Sequence, residues 1–222
     1  MFSRLSSKKV FLQANLKWII ALTLLFILCP GVAGALEITV SPTGSNNDQN
    51  VINNALETVS NSGGGKVYLN AGTYQLTDKI IMRSGIHLQG ESATNTIIRA
   101  GPNTGGSVSG KISDGWIYCS GLSNIEISNL AFTSTASGTN DGGLGETRNC
   151  ILLRDCANVK IHDNKIIKYV YNDFVKCHSG NNIQVYNNSG QCGHDFVEFL
   201  TGTKNSRAYG NNIMVQTNTG IW

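Results

Sequence analysis

Four short stretches that each begin with asparagine recur along the second half of the sequence: NIEI (124–127), NVKI (158–161), NIQV (182–185) and NSRA (205–208). Their first residues lie 34, 24 and 23 positions apart, and an insertion at 134–146 accounts for the longest interval. A repeat of this length with short strands and no recurring helix is typical of a parallel β-helix. In that fold each coil stacks on the previous one about 4.8 Å away, and no coil can bury its apolar face alone.

Two further sets of positions recur in register with these asparagines. Seven or eight positions earlier stand the aliphatic residues Ile117, Ile151, Val175 and Val197. Six positions later stand Leu130, Asn164, Asn188 and Asn211. Asparagines at one turn position can form a ladder in which each side-chain amide bonds to the next. A leucine-rich solenoid is disfavoured because its LxxLxLxxN pattern is missing, and a β-sandwich has no reason to keep such a register.

The first 35 residues read as a secretory signal peptide. Four basic residues precede an apolar run at 18–29, which Pro30-Gly31 ends, and Ala33-Gly34-Ala35 offers a cleavage site. The alternative is a membrane anchor, but the run is shorter than the roughly 20 residues that a spanning helix needs. We therefore predict a secreted or cell-surface protein with a mature domain at 36–222 and no membrane contact after cleavage.

The composition excludes several classes of partner and site. Charged residues make up 14% of the chain and the net charge is +3, much of it in the leader, so we predict no nucleic-acid partner. Cys119, Cys150, Cys156, Cys177 and Cys192 remain after cleavage. They are not spaced as zinc ligands, so we predict no metal site and interpret them as core residues with one or two bridges at most.

One helix is predicted near the start of the mature domain, at about 48–61. Val51, Ile52, Ala55, Leu56 and Val59 follow helical spacing, and Asp48 or Asn50 is the expected N-cap. The coils then extend from about 66 to 222. The final residues, 218–222, resemble the beginning of another coil, so we expect a β-helix truncated at its C-terminus and completed by further coils of the gene product or by a partner chain.

Several motifs resemble known families. The stretches VSPTGSNND (40–48), GGGKVYL (63–69), AGTY (71–74) and SGIHLQGES (84–92) resemble the N-terminal cap and first coils of the pectate-lyase-like superfamily. This resemblance implies a right-handed β-helix plugged by a helix. Downstream, DCAN (155–158), YNDFV (171–175) and GHDFVEF (193–199) resemble disaggregatase-related proteins of methanogenic archaea. Those are surface or secreted β-helix proteins linked to breakdown of a matrix polysaccharide, which implies an extracellular polysaccharide as the partner here.

The coil period places Asp173 next to Asp195 and Lys176 next to Glu198. If Val175 and Cys177 point inward, strand alternation sends their neighbours outward. The predicted outward set on these coils is Arg154, Phe174, Lys176, His178, Phe196 and Glu198, with Leu152 beside Arg154. Asp173, His194 and Asp195 fall where the strands start, at the rim of the same face.

This face predicts a site for a polysaccharide. We assign Asp173, Asp195, Glu198 and His194 as catalytic candidates, since two carboxyl groups about 5–5.5 Å apart suit a retaining glycosidase and about 6.5–9.5 Å an inverting one. Substrate-binding candidates are Arg154, Phe174, Lys176, His178 and Phe196. The structural alternatives are turn-forming aspartates, a surface ion pair between Lys176 and Glu198, and phenylalanines covered by the 134–146 insertion.

The predicted function is polysaccharide degradation by glycoside hydrolysis. A polysaccharide lyase is second, with Lys176, Arg154 or Arg207 as base, because no calcium-binding acid cluster is evident. A non-catalytic glycan-binding module is the third possibility, and a truncated chain could be inactive. No cofactor is predicted, while a divalent cation such as calcium stays open. A second outward ladder of Ser128, His162, Tyr186 and Tyr209 is a lesser candidate for sugar stacking; His87 and His162 receive no individual role.

Overall fold

The computed structural model describes residues 35–100, 115–134, 149–167 and 173–215 of the chain. The predicted signal peptide, apart from Ala35, and the predicted insertion at 134–146, apart from Ser134, lie outside these residues. So does the predicted truncated end at 218–222. All structural statements below concern the described residues.

The described residues form one helix and eighteen strands. In chain order these are β1 (Leu36–Val40), α1 (Gln49–Asn61), β2 (Gly65–Leu69), β3 (Gly72–Leu76), β4 (Ile80–Ile81), β5 (Ile86–Gly90), β6 (Thr96–Ala100), β7 (Ile117–Ser120), β8 (Ser123–Ser128), β9 (Ala131–Ser134), β10 (Ile151–Arg154), β11 (Ala157–His162), β12 (Lys165–Ile166), β13 (Val175–His178), β14 (Asn181–Tyr186), β15 (Ser189–Cys192), β16 (Val197–Phe199), β17 (Arg207–Tyr209) and β18 (Asn212–Val215).

The strands belong to three sheets in which every pairing is parallel. Sheet A has the order β1-β2-β5-β8-β11-β14-β17, sheet B the order β18-β15-β12-β9-β6-β3 and sheet C the order β16-β13-β10-β7-β4. In the middle of the chain each coil contributes one strand to each sheet, and strands one coil apart are neighbours. This arrangement confirms the predicted right-handed parallel β-helix.

The predicted coil register is also confirmed. Ile151 on β10 lies opposite Ile117 on one side and Val175 on the other, and Val175 lies opposite Val197. These four side chains are buried in the same core. Burying an aliphatic side chain of this size contributes about 1.5–3 kcal/mol, and stacking repeats that gain on each coil.

Asparagines with left-handed backbone conformation stand at or just before the start of four sheet A strands. Asn124, Asn158, Asn182 and Asn205 have φ angles of 53–57°, the left-handed region that asparagine tolerates better than most residues. Asn158 Nδ2 donates to Asn124 Oδ1 at 3.1 Å, and Asn182 Nδ2 donates to Asn158 Oδ1 at 3.0 Å. The recurring asparagine thus serves both the turn and the contact between coils.

A second ladder is formed by the buried Asn164 and Asn188 and the half-buried Asn211, and is called the asparagine ladder below. Asn164 Nδ2 donates to Asn188 Oδ1 at 3.0 Å, and Asn188 Nδ2 donates to Asn211 Oδ1 at 3.1 Å. The same amides donate to backbone carbonyls, and their oxygens accept backbone N–H groups, including that of Leu130. The sequence prediction of an amide ladder at these positions is confirmed.

Helix α1 covers the core at the N-terminal end. Its residues Ile52, Leu56 and Val59 are fully buried. Asp48 occupies the predicted N-cap position, but its side chain makes no cap hydrogen bond, and Asn50, the other candidate, lies inside the helix. The buried Asp48 carboxylate instead accepts from the backbone N–H groups of Thr43 and Gln75, each at 2.8 Å. It therefore joins the loop before the helix to β3.

The cysteines within the described residues are all buried and unbridged: Cys119, Cys150, Cys156, Cys177 and Cys192. Burial raises the pKa of Cys177 to about 11, which keeps its thiol protonated at neutral pH. Their interpretation as core residues is confirmed, and no disulfide joins them. Within the described ranges, no helix has both the length and the apolar character needed to cross a membrane.

Candidate functional site

The site is built on β10, β13 and β16, three adjacent strands of sheet C. Leu152, Lys176 and Glu198 lie opposite one another across these strands. Val175 and Cys177 on either side of Lys176 are buried in the core, so alternation directs Lys176 and Glu198 to the outer side of the sheet. The predicted inward orientation of Val175 and Cys177 is confirmed.

Two aspartates are stacked on adjacent coils just before β13 and β16. The backbone N–H of Asp195 donates to Asp173 Oδ1 at 3.0 Å, and the backbone N–H of Phe174 donates to the carbonyl of Asp195 at 3.1 Å. Asp173 is 0% exposed and Asp195 is 3% exposed. The interpretation of Asp173 as a turn former is wrong, because its carboxylate accepts from the next coil rather than from its own turn.

His194 bridges the two buried aspartates. Its Nδ1 lies 2.9 Å from Asp173 Oδ1 and 3.1 Å from Asp195 Oδ2. The side chain is 42% exposed. Nδ1 therefore carries the proton that faces the carboxylates, and Nε2, which makes no hydrogen bond to any described residue, is the ring nitrogen available to a ligand.

Lys176 lies between two of the carboxylates. Its Nζ is 2.7 Å from Glu198 Oε2 and 3.6 Å from Asp173 Oδ2. Asp173 Oδ2 accepts no hydrogen bond from the described residues, so the more distant Lys176 ammonium compensates it by charge alone. We call Asp173, Lys176, His194, Asp195 and Glu198 the charged cluster. The predicted ion pair of Lys176 with Glu198 is present, but it is enclosed rather than exposed.

The environment shifts two protonation equilibria in the charged cluster. Burial raises the pKa of Asp173 despite the opposing hydrogen bonds from Asp195 and His194 and the charge of Lys176. For His194, partial burial acts to lower the pKa, but the hydrogen bond and charge of Asp173 and the charges of Asp195 and Glu198 outweigh it, so the pKa is raised. The imidazole therefore stays protonated to a higher pH than an ordinary histidine.

Three of the predicted contacts with substrate are wrong. Phe174 and Phe196 are 0% exposed, with ring centroids 4.9 Å apart in the core. Both lie in bends just before their strands, where the alternation of an extended strand does not apply and the corner turns the ring inward. Lys176 is 4% exposed and enclosed by carboxylates, so it cannot serve as a sugar-contacting cation.

The remaining predicted residues lie on different parts of the outer face. Arg154 at the end of β10 is exposed, and His178 opposite it on β13 is half-buried. Leu152, predicted to face outward, is 2% exposed. Of the four catalytic candidates, His194 is the most exposed, Glu198 is partly exposed, and Asp173 and Asp195 can act only through a neighbour.

The second predicted ladder, on sheet A, is assembled but does not suit sugar stacking. His162, Tyr186 and Tyr209 stack with centroid separations of 4.7 and 5.0 Å and interplanar angles of 7° and 9°. The Arg207 guanidinium lies over the Tyr209 ring, 4.9 Å from its centroid. Because the ring faces cover one another, the ladder presents no flat aromatic platform to a sugar.

Sequence reasoning missed one cluster on this second face. Glu126 contacts both His87 and His162, neither of which had been assigned a role. The available signal was the coil register, which places His87 and Glu126 opposite each other on β5 and β8.

The charged cluster also has the donor set of a cation site. One ligand atom from each of Asp173, His194 and Asp195 lies within 4.8 Å of the other two. Two carboxylates and an imidazole suit a divalent cation, which bears on the calcium that the sequence left open. The adjacent Lys176 ammonium opposes a second positive charge at this place, so the geometry favours a protonated His194 as the resident cation.

A protein-family model described as rhamnogalacturonase A/epimerase, pectate lyase-like, matches residues 35–221. The chain belongs to this family. The match covers the three-sheet β-helix and includes the charged cluster, so the pectate-lyase-like resemblance of the first coils is confirmed. No curated protein matches the chain significantly. The similarity to disaggregatase-related proteins stays a prediction.

Solved structures share the fold of this pectate-lyase-like chain at low identity. A protein of Parabacteroides merdae ATCC 43184, provisionally classed as a glycosyl hydrolase, is 13% identical with a TM-score of 0.52, and the match covers 81% of this chain and 97% of that one. The mannuronan C-5 epimerase AlgE4 A-module of Azotobacter vinelandii is 19% identical, with a TM-score of 0.43 and coverage of 84% and 52%. These likenesses concern the fold alone.

Proposed function

We propose that this pectate-lyase-like protein is an extracellular enzyme that cleaves a polysaccharide by glycoside hydrolysis, with His194 as its proton-transfer residue. The observation that carries the proposal is the pairing of His194 Nδ1 with the buried carboxylates of Asp173 and Asp195 while the ring remains 42% exposed. Carboxylates behind Nδ1 fix the ring orientation and its tautomer. They leave Nε2 to meet the substrate.

The raised pKa of His194 suits a general acid. The hydrogen bond and charge of Asp173, with the charges of Asp195 and Glu198, outweigh partial burial and favour the imidazolium form. An imidazolium Nε2–H can protonate the glycosidic oxygen as the bond to the leaving sugar breaks. Asp173 is then a positioning residue, since it is buried and reaches the reaction only through His194.

Glu198 is the carboxylate of the charged cluster best placed to activate water. Its side chain is 16% exposed, against 0% for Asp173 and 5% for Asp195. Lys176 holds one of its oxygens at 2.7 Å and so fixes the side chain. A carboxylate paired with a separate proton donor is the pairing of functions that glycoside hydrolysis requires.

The charge of the site favours hydrolysis over elimination. Three carboxylates outnumber one ammonium and one imidazole, so with its carboxylates ionised the cluster is negative. A negative site stabilises the oxocarbenium-like transition state of hydrolysis and disfavours an anionic uronate with the developing negative charge of elimination. Lys176, a candidate lyase base, is held charged between Glu198 and Asp173 and is unsuited to accept a proton.

The family and the sequence motifs support the nature of the substrate. The family name includes a rhamnogalacturonase and an epimerase, and the Parabacteroides protein is classed among glycosyl hydrolases. The signal-like leader supports action outside the cell. The motifs DCAN, YNDFV and GHDFVEF support a disaggregatase-like enzyme that degrades a matrix or cell-surface glycan.

The test uses the full chain and a panel of polysaccharides. The panel contains polygalacturonate, rhamnogalacturonan, alginate, a hyaluronan-type N-acetylated glycan and the matrix polysaccharide of an aggregating methanogen. Reducing ends and ultraviolet absorbance of unsaturated uronates are measured together. We expect reducing ends without new absorbance from one member, and we expect His194→Gln to lower the rate by about 10²–10⁴-fold while glycan binding persists.

Two other results would change the proposal. New absorbance would indicate elimination instead of hydrolysis. Binding without release of any product would indicate a non-catalytic glycan-binding module. Glu57→Gln removes an exposed carboxylate on α1, outside the charged cluster, and serves as the control variant that keeps full activity.

A further inference from the structure

One tripeptide on the surface of the β-helix has the sequence of a modification site. Asn187-Asn188-Ser189 is the single Asn-x-Ser/Thr sequence of the chain in which x is not proline. This pattern is the acceptor sequence for N-linked glycosylation of exported proteins. It lies at the corner between β14 of sheet A and β15 of sheet B, whereas the charged cluster lies on sheet C. The proposed cleavage does not use it.

The side chain of Asn187 is exposed and makes no structural contact. Its backbone N–H donates to the carbonyl of Tyr209 at 3.3 Å, but its side-chain amide forms no hydrogen bond with any described residue. The next residue behaves in the opposite way, because Asn188 is buried and its Nδ2 donates to Asn211 Oδ1. Of these two neighbouring asparagines, only Asn187 has an Nδ2 that is available for reaction.

The corner does not require an asparagine side chain at position 187. Asp163 and Gly210 occupy the same corner on the two adjacent coils, and the three residues share φ angles of 54–63°. The Asp163 carboxylate turns back to His162, and Gly210 has no side chain. A Cβ on Gly210 would lie 2.7 Å from Asn187 Oδ1, so glycine leaves the space beside the amide open. The turn is therefore compatible with a substituent on Asn187.

The hydroxyl of Ser189 is unused as well. Ser189 lies half-buried on β15, and its backbone N–H donates to the carbonyl of Asn164 at 3.0 Å, but its Oγ forms no hydrogen bond within the described part of the chain. Lys165 and Asn212 lie opposite it on the adjacent coils. Because such different residues fill the same position, the coil does not require a hydroxyl there. The amide and the hydroxyl that define the acceptor sequence thus both lack a structural role.

We propose that Asn187 is a site of N-linked glycosylation, to which a membrane-bound oligosaccharyltransferase transfers an oligosaccharide during export. The donor is an oligosaccharide carried on a polyprenyl diphosphate. Asn187 Nδ2 forms a bond to C1 of the first sugar and loses one proton, while the bond between C1 and the diphosphate oxygen breaks and the polyprenyl diphosphate leaves. A glycan is bulky and requires a surface position, which the exposed corner provides. The proposal rests on the predicted export of the chain and not on the proposed cleavage.

The test is cell-free translation of the full chain, leader included, in the presence of microsomes that contain an oligosaccharyltransferase. Protection from added protease reports translocation, and mobility on a denaturing gel reports glycosylation. We expect the protected chain to gain one band of slower mobility, which an endoglycosidase converts back to the unmodified band.

Four variants assign the modification to the tripeptide. Asn187→Asp should abolish the slower band, and it keeps the turn because aspartate already occupies this corner at position 163. Ser189→Ala should abolish the band, whereas Ser189→Thr retains the hydroxyl and should keep it. Asn182→Gly is the matched control, since it removes an asparagine side chain at another left-handed position and should leave the band unchanged.

Three results would overturn the proposal. A protease-protected chain without the slower band would show that Asn187 is not an acceptor. A slower band that persists in Asn187→Asp would place the glycan on another residue. A chain that stays accessible to protease would remove the export on which the proposal rests. Absence of polysaccharide cleavage by a chain that does carry the glycan would count against the proposed function alone.

Discussion

The asparagine ladder and the charged cluster are both stacks of polar residues on neighbouring coils, and they solve the problem of burial in opposite ways. In the ladder, Asn164, Asn188 and Asn211 are neutral, and the amides of the first two each donate to the next side-chain oxygen and to a backbone carbonyl. In the cluster, Asp173 lies next to Asp195, and Asp173 Oδ2 accepts no hydrogen bond from the described residues.

This difference separates structural from functional stacking. A fully satisfied polar network stabilises and specifies the coil register. Stacked like charges do not, because each buried charge must be compensated by a cation that the chain has to enclose. A cost of this kind is expected where a site is needed for function. The predictions below test this contrast, beginning with the largest effect.

Lys176→Met should destabilise the protein most. Its Nζ lies 2.7 Å from Glu198 Oε2 and 3.6 Å from Asp173 Oδ2, so the substitution leaves two enclosed carboxylates without their cation. We expect a loss of about 3–5 kcal/mol in the free energy of unfolding, measured with urea at pH 7. Adding Glu198→Gln should restore part of the loss, and a single variant as stable as wild type would show that Lys176 does not compensate the cluster.

Asn188→Ala should cost somewhat less. It leaves the buried N–H of Asn164 and the carbonyl of Ile161 without their partner, and each such group costs about 1–3 kcal/mol, so we expect roughly 2–3 kcal/mol. The matched control is Asn182→Gly, in the row of asparagines that includes Asn158. Glycine can keep the left-handed φ of 57° at this position, so the free energy of unfolding should fall by less than about 1 kcal/mol. Equal losses of unfolding free energy in the two variants would show that the asparagine ladder has no particular structural role. Glycan cleavage per folded molecule should be unchanged in both.

Asp173→Asn should change stability little and cleavage strongly. Burial raises the pKa of Asp173, so the buried charge costs free energy that a neutral amide avoids, and an amide oxygen can still accept from Asp195 N–H. We expect an unfolding free energy within about 1 kcal/mol of wild type and a cleavage rate at least about tenfold lower. A destabilisation as large as that of Asn188→Ala would make Asp173 a structural residue.

The smallest expected effect is the pH dependence due to His194. Its folded pKa is raised by Asp173, Asp195 and Glu198 against the effect of burial, so its contribution to stability is fully present below the unfolded pKa of about 6.5 and is lost as pH rises through the folded pKa. The Tm of wild type minus that of His194→Gln should therefore be larger at pH 6 than at pH 9. A difference that grows with pH has the opposite sign and would contradict the assignment.

Much of the fold could be predicted because the length of one coil sets the spacing at which similar residues recur in the sequence. Ile117, Ile151, Val175 and Val197 recur at the coil period, and the structure pairs them in that register. The neighbouring positions of Lys176 and Glu198 follow from the same period. Predicting that the solenoid is right-handed required the family resemblance as well, because residue spacing alone does not determine handedness.

The details of the site could not be predicted, because they depend on corners rather than strands. Phe174 and Phe196 precede their strands, and alternation assigned them to the wrong side of the sheet. The enclosure of Lys176 and the contact of His194 with two aspartates depend on how the bend before β16 is placed. Asp48 shows the same limit, since its helix-start position suggested a cap while its carboxylate bonds to Thr43 and Gln75.

The most direct test of the catalytic role assigned to the charged cluster is a double-mutant cycle measured on kcat/KM. Wild type, Asp173→Asn, His194→Gln and the double variant are compared on the polysaccharide of the panel that is cleaved. Because Asp173 acts through His194, the double variant should be no slower than His194→Gln alone. Losses that multiply, or full cleavage by His194→Gln, would contradict the assignment of His194 as the proton-transfer residue held by Asp173.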